Sequence, residues 1–544
     1  MQFKFNLSFQ RYYRTGSIHH FEHRQLSKYK LKCGLEIHTQ LNTRKKLFSQ
    51  STNDPFHSIE SPNVHTSYFD IALPGTQPIL NYEAVLYAIR LSLAINAKVN
   101  LQSSFDRKHY FYGDQPMGYQ ITQHYQPFAT GGQIKLNRDI DGVDDKNIRI
   151  IQLQLEQDTG KSVYRENEGL TLIDLNRSNV PLIEMVTQPD FTDVKQIRAF
   201  IKKYQNLVRH LNVSTGDLET GAMRVDVNLS VNDFARVELK NLPNTSSIIN
   251  AVKFEFQRQV QIIEDGKGPE LLLHPETRGW NGEATIKLRS KETTIDYRYM
   301  PDPELPVISL SPLAVEGVAK TLPPAPEDVI KKLMAAPYSL SLKDAKLLTI
   351  KGNSQDQMYT QPELLKFYVE TFQCYLKDVK KSENRKINYK LPTNWIIHEL
   401  LGILNKLQMP LKELTVIMTP ENFSEFLMLI HRKEISNATG KLLLFHAVEN
   451  LHNSDVIKEQ KTVNFTSLID EYDLGKISQI DDNELEKLCQ DIIDEIKDKK
   501  LIENIVSGKK KNSIKYLIGL GMRVSQGRIS AQEFERMFRK VLEI

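Results

Sequence analysis

The chain has 544 residues, 40% hydrophobic and 25% charged, with 71 basic and 67 acidic side chains and a net charge of +4. That size excludes a single small core and calls for about two to four domains. Cys33, Cys374 and Cys489 form no CxxC pair. This argues against a disulfide framework or a cysteine-rich zinc site and for a reducing compartment. No apolar run reaches the ~18 residues of a membrane-spanning helix.

Residues 1–30 set Lys4, Arg11, Arg14, Arg24, Lys28 and Lys30 against one acid, Glu22. A basic, acid-poor start with no continuous apolar stretch predicts a mitochondrial targeting segment, with an unstructured tail as the alternative. Strand-like alternation follows at once. Leu31, Cys33, Leu35, Ile37 and Leu41 share one parity; Lys32, Gly34, Glu36, His38 and Gln40 share the other. Successive strand residues face opposite sides of a sheet, so Glu36 and His38 stand together over apolar anchors. A carboxylate beside an imidazole can hold a metal or move a proton. An ordinary solvated strand shows the same pattern.

Helical spacing predicts helices over 81–97, 193–211 and 246–264, with strands over 148–156, 172–175, 223–231, 235–241 and 284–291 between them. The mixture reads as α+β for residues 31–308. Beyond the proline-rich stretch Pro301–Pro326 the strand signals fade. Helices are expected over 361–378, 394–407, 420–434, 439–451, 483–500 and 530–543, with a linker or loop near 453–465. Thr419-Pro-Glu421 is a helix start, with a cap, a proline at the first helical position and an acid in the first turn. Residues 455–498 carry 13 acids and 5 bases, whereas 501–544 carry 9 bases and 4 acids. That basic end is either a phosphate-contacting tail or a solvated helix pair.

Met223–Val231 alternates strictly and is followed by a turn at Asn232–Phe234 and a second strand. In such a hairpin Asp226, Asn228 and Glu238 share a face with the bases Arg224, Arg236 and Lys240. The alternative is a solvated face with cross-strand ion pairs. Two further clusters are Glu156-Gln-Asp-Thr-Gly-Lys-Ser162 and Asp174-Leu-Asn-Arg177 running into Pro181-Leu-Ile-Glu184. Carboxylates from several strands with one imidazole are the ligands of a hard divalent cation such as Mg²⁺, which bridges to nucleotide phosphates. Nearby bases suit a phosphoryl transition state. Gly160-Lys-Ser162 imitates the end of a P-loop, but position 155, where its first glycine belongs, is Leu. A Walker-type ATPase is therefore not expected, and the sequence has no GxGxxG, HExxH or nucleophile-elbow motif.

Five ordered segments carry a resemblance. They are Gly34-Leu-Glu-Ile-His-Thr-Gln-Leu-Asn42, Phe105-Asp-Arg-Lys-His-Tyr-Phe-Tyr112, Asp174–Glu184, Glu238-Leu-Lys-Asn-Leu242 and Asp296-Tyr-Arg-Tyr-Met-Pro-Asp-Pro303. Together they resemble the B subunit of the tRNA-dependent amidotransferases, and the N-terminal segment and Gly216–Met223 are similar to its fungal mitochondrial form. The match runs from about 31 to 544. The archaeal paralogue has an extra domain where this chain has only the proline-rich stretch.

The resemblance implies a mixed, largely antiparallel cradle domain (31–308), a linker and helical domain (309–410) and a YqeY-like helical tail domain (411–544). It implies Mg²⁺ and ATP, the latter as substrate, and phosphorylation of the γ-carboxylate of mischarged Glu-tRNA(Gln) in the mitochondrial matrix. Amidation follows, with ammonia from a partner amidase (A) subunit and with a small third subunit present. Carried over by position, Glu36, His38, Glu184, Asp226 and Glu238 are the catalytic and metal set, and Arg224 and Lys240 face ATP phosphate. Lys108 and Tyr110 stand at the ammonia-channel mouth. Lys509, Lys510, Lys511, Arg523 and Arg528 contact tRNA. Bacterial members have two consecutive acids where this chain has Glu156-Gln157, and the second is the one expected at the metal. Gln157 could coordinate through its amide oxygen, or Glu156, Asp158 or a water takes that role. A non-catalytic tRNA scaffold and a metal-dependent nuclease are the competing readings.

Overall fold

The computed structural model describes residues 28–54, 61–290, 298–350, 358–382, 386–453, 463–472, 481–496, 502, 514–525 and 528–542. Most of the expected targeting segment, up to residue 27, and Lys509–Lys511 lie outside them. The chain divides into two compact units, one ending at Pro326 and the other beginning at Glu327.

The first unit is built on a ten-stranded sheet. Seven neighbouring members are β1 (Leu31–Gln40), β2 (Lys146–Gln157), β3 (Pro181–Thr187), β4 (Met223–Val231), β5 (Val237–Lys240), β6 (Glu276–Trp280) and the edge strand β7 (Thr285–Ser290). β1 lies between β3 and β4, antiparallel to both, and β2 pairs with β3. The hairpin β4–β5 turns at Asn232, in the left-handed region at φ 53°, which asparagine tolerates better than most residues. β5 and β6 run parallel, as strands do when a helix crosses between them. That helix is α3.

The odd-numbered residues of β1 and β4 form the buried face. Leu35, Ile37, Val225 and Val227 are each at most 2% exposed. They share one core with α1 (Tyr82–Ala94), α2 (Val194–His210) and α3 (Thr245–Glu264). α2 starts at the expected Asp193, whose side chain accepts from the Lys195 N–H. It buries Ile197, Phe200, Ile201, Tyr204 and Val208, the spacing of a single helical face. Each such aliphatic side chain contributes ~1.5–3 kcal/mol on burial. Thr39 is the polar exception on this side, and its hydroxyl is hydrogen-bonded to the Tyr204 phenol at 2.9 Å. α4 (Pro312–Lys320) packs Val315 and Val318 against this same core.

A three-stranded sheet comprising Asp106–His109, Tyr119–Thr122 and Tyr299–Pro301 sets Lys108 opposite both Gln120 and Tyr299. The described part of the second unit is helical. Gln361–Lys381 opens with a Thr360–Glu363 capping box, and Pro420–His431 is capped by Thr419. The helices Asp482–Asp494, Ile514–Val524 and Ala531–Val541 close on Leu485, Cys489, Leu517, Phe534, Met537 and Phe538. No helix among the described residues is long and apolar enough to cross a membrane.

Candidate active site

The even-numbered residues of β1 and β4 face away from the core, and the register makes one polar surface of them. Glu36 lies opposite Asp226, His38 opposite both Glu184 and Arg224, and Gly34 opposite Asn228. Asn228 in turn faces Glu238 on β5. Five candidate residues scattered over some two hundred positions thus share one sheet face. They form two neighbouring groups rather than one.

In the first group, carboxylate oxygens of Glu36, Asp226 and Glu238 lie within 4.8 Å of one another. Three negative charges so close repel strongly unless a cation joins them. The Lys240 ammonium does so here, 2.6 Å from Asp226 Oδ2 and 3.5 Å from Glu238 Oε1. The carboxylates are also oriented. Asn228 Nδ2 donates to Glu36 Oε1 at 2.8 Å, and the Thr277 hydroxyl donates to Glu238 Oε2 at 2.8 Å. Asn228 Oδ1 is buried and has no hydrogen-bond partner. An all-oxygen donor set of three carboxylates beside a buried, unsatisfied amide oxygen fits a hard divalent cation.

In the second group, His38 Nδ1 lies 2.7 Å from Glu156 Oε1. Burial alone would lower the imidazole pKa; Glu156, aided by Glu184, outweighs burial and Arg224 and raises it to about 9. Glu184 has its carboxyl pushed up to about 7, by burial first and then by Glu156 and Glu36, against the pull of His38 and Lys108. Glu156, which the sequence offers only as an alternative to Gln157, is buried. It belongs on this face because Gln152, Gln154 and Glu156 alternate with Leu153 and Leu155. Gln157 falls on the opposite parity, across from Pro181. Its Nε2 approaches Met117 Sδ at 3.1 Å. The amide that replaces the bacterial acid therefore does not join the carboxylates.

Arg224 is held by a third cluster. Its Nη2 lies 2.9 Å from Asp158 Oδ2, which also accepts from Gln40 Nε2 at 3.1 Å. Arg177 Nε lies 3.8 Å from Asp158 Oδ1. Arg177 donates to the carbonyls of Thr159 and Gly160 at 2.9 and 2.8 Å, fixing the turn after β2. Burial opposes ionisation of Asp158, but Arg224 and Arg177 hold its carboxyl below the usual range. Asp174 and Asn176 do different work. Asp174 Oδ1 accepts from the Asn63 N–H at 3.2 Å, and Asn176 Oδ1 accepts from the His65 N–H at 2.8 Å. They clasp a loop, and of that motif Arg177 reaches the cavity.

The cavity has a volume of about 540 Å³, and its lining includes His38, Tyr110, Glu156, Arg177, Arg224 and Lys240. Lys108 stands beside it, with its ammonium 5.2 Å from the Tyr299 ring centroid and 5.9 Å from that of Tyr110. Burial would lower its pKa, but Tyr110, Tyr299 and Glu184 outweigh that and raise it. The Tyr110 hydroxyl donates to Gln120 Oε1 at 3.1 Å, and Gln120 Nε2 donates to the Gln157 carbonyl at 2.7 Å. In the second unit, Arg523 lies in the last turn of Ile514–Val524 and is exposed, and Arg528 is half-buried.

A sheet face that pairs an oxygen-ligand cluster with phosphate-compatible bases at one cavity defines a candidate phosphoryl-transfer site on an α+β scaffold. Residues 31–316 match the GatB/GatE catalytic domain family, and residues 376–542 match the GatB domain family. The chain belongs to the GatB/GatE family. It is 63% identical over 538 residues to the B subunit of the mitochondrial glutamyl-tRNA(Gln) amidotransferase of Zygosaccharomyces rouxii, covering 98% of this chain and 99% of that one. It is 61% identical over 521 residues to the protein of that name in Lachancea thermotolerans, covering 95% and 94%. The Saccharomyces cerevisiae protein is 58% identical over 535 residues, 98% of each chain. This similarity supports a mitochondrial location.

Proposed function

We propose that this chain is the activating subunit of a mitochondrial glutamyl-tRNA(Gln) amidotransferase. It converts the γ-carboxylate of glutamate on tRNA(Gln) to an acyl phosphate at the expense of ATP. Ammonia from a partner amidase subunit then displaces phosphate to give Gln-tRNA(Gln). A small third subunit completes the assembly. The observation that carries this reading is the cavity lined by Arg224, Lys240 and Asp226, the last of them a member of the three-carboxylate cluster.

The chemistry explains why such a site is needed. A carboxylate is a poor electrophile because its oxygen is a poor leaving group. Phosphorylation turns that oxygen into phosphate, and the nitrogen can then add. Charge builds on the phosphoryl oxygens during transfer, so positioning and positive charge supply most of the catalysis. Arg224, oriented by Asp158, and Lys240 are the groups suited to those oxygens. Glu36, Asp226 and Glu238, with the Asn228 amide oxygen, would hold the magnesium. Bound there, magnesium would neutralise phosphate charge. The Glu156–His38 pair keeps a positive imidazole beside Glu184. Lys108 and Tyr110 line the approach proposed for ammonia. The described bases Arg523 and Arg528, with Lys509–Lys511, are assigned to the tRNA body, where phosphate contacts make affinity fall with salt.

Co-expression with the amidase partner tests this. Conversion of Glu-tRNA(Gln) to Gln-tRNA(Gln) is expected to require both ATP and Mg²⁺, and to be lost in Asp226→Ala while tRNA binding persists. Conversion that is indifferent to ATP, or retained in Asp226→Ala, would overturn it.

A further inference from the structure

Lys240 holds a place that a divalent cation would also need. Its ammonium sits 2.6 Å from Asp226 Oδ2 and 3.5 Å from Glu238 Oε1. Those residues are two of the three whose oxygens cluster within 4.8 Å. Two cations cannot share those oxygens closely without mutual repulsion. The other partners of the cluster are short and fixed. Glu36 is tied to Asn228 and Glu238 to Thr277. Arg224, the neighbouring base, is committed to Asp158. Lys240 combines a flexible four-carbon stem with a rim position, since about a third of its side chain is exposed and it lines the cavity. Asn228, whose amide nitrogen is tied to Glu36, also carries a buried Oδ1 that lacks a hydrogen-bond partner. An ammonium offers only hydrogens to its neighbours. A divalent cation gathers several oxygens at once.

We propose that Lys240 is the resident counter-ion of the Glu36–Asp226–Glu238 cluster, that a divalent cation displaces it, and that the released ammonium then engages nucleotide phosphate in the adjoining cavity. This rests on the reading of the cluster as a cation site. It adds an order to that reading: without the divalent cation, Lys240 is bound to carboxylates and withheld from phosphate. Nucleotide arriving alone meets a cavity short of one positive charge.

The test uses the full-length chain in its assembled complex, with Mn²⁺ alone as probe. Mn²⁺ occupancy is followed by electron paramagnetic resonance. In parallel, brief acetic anhydride pulses and peptide mass spectrometry report the reactivity of the Lys240 amine. Acetylation of Lys240 is expected to rise several-fold with Mn²⁺, at the same midpoint as occupancy. In Asp226→Ala its reactivity should be high from the start and insensitive to Mn²⁺. Lys240→Met should bind Mn²⁺ about tenfold more tightly, because the competing charge is gone. If Mn²⁺ binding depends on Glu36 and Glu238 while Lys240 reactivity stays constant or falls, the exchange is wrong and the cation reading stands. If Mn²⁺ does not bind, or binds equally well in Glu36→Gln and Glu238→Gln, the cation reading itself fails and the exchange fails with it.

Discussion

Removing the Asp158 charge should destabilise the first unit by an amount that the geometry constrains. Asp158 is 3% exposed, and its partner Arg224 lies 2.9 Å away. Loss of one partner of a buried ion pair costs ~3–5 kcal/mol, because the other charge is left unpaired. Arg224, however, keeps 36% of its side chain exposed toward the cavity, so water screens part of that charge. For Asp158→Asn the expected loss is therefore ~2–3 kcal/mol at neutral pH. At ~2–4 °C per kcal/mol for a unit of this size, the midpoint falls by roughly 5–10 °C. The dependence on pH follows from the direction of the shift. The Asp158 carboxyl is held below its usual range, so its contribution is complete above the unfolded-chain value of ~4 and is lost as pH falls through the lower folded value. The variant should thus differ most from the parent at neutral pH and converge with it in acid. Arg224→Met in the same chain should recover part of the loss, since it removes the nearer unpaired cation while the more distant Arg177 stays. Hydrogen exchange of peptides from Leu31–Gln40 and Met223–Val231 reads this unit alone. A neutral effect of Asp158→Asn at pH 7, or a double variant no better than the single one, would refute the reasoning.

Glu156→Gln should lower the His38 imidazole pKa from about 9, because burial and Arg224 are then opposed only by the remaining Glu184; titration of the ring resonances by NMR checks this. Lys46→Met should cost ~3–5 kcal/mol, since Lys46 and Asp70 are fully buried partners 3.4 Å apart, and denaturant unfolding at pH 7 measures it. Gly521→Ala should loosen the C-terminal helices by ~1–3 kcal/mol through overpacking. An added Cβ there would lie 2.7 Å from the Phe534 ring, and exchange of peptides from Ala531–Val541 reports the loss.

The strands β1 and β4 are legible in the sequence because one face of each is buried and the other polar, so period two survives in the residue pattern. The hairpin of β4 with β5 is legible too, but the partners of β1 are not. β3 reaches β1 across about 145 positions and β2 reaches β3 past the paired strands Lys161–Arg165 and Leu170–Asp174, and pairing at such distance depends on packing that no local pattern records. β6 escapes notice because Thr277, Gly279 and Trp280 carry no clean alternation, and its parallel pairing follows only once α3 is seen to cross. Glu156 is within reach of the pattern. Gln152, Gln154 and Glu156 alternate with leucines, and that parity separates Glu156 from Gln157 without any structure. Asp158 lies one residue beyond β2, where parity no longer predicts direction, so its hold on Arg224 needs coordinates. The sequence reads Glu36 with His38 on one strand face and Asp226 with Glu238 on one hairpin face, and only the family resemblance joins them with Glu184. Their division into a carboxylate cluster and an imidazole pair depends on side-chain contacts.

The central claim is that this sheet face activates a carboxylate by phosphorylation, and the fate of one oxygen atom tests it most directly. Glu-tRNA(Gln) carrying ¹⁸O in the γ-carboxylate is incubated with the assembled complex, ATP, Mg²⁺ and an ammonia source, and the released phosphate is analysed by mass spectrometry. An acyl phosphate route places one labelled oxygen in each phosphate formed with product. Product formation with unlabelled phosphate would contradict the account.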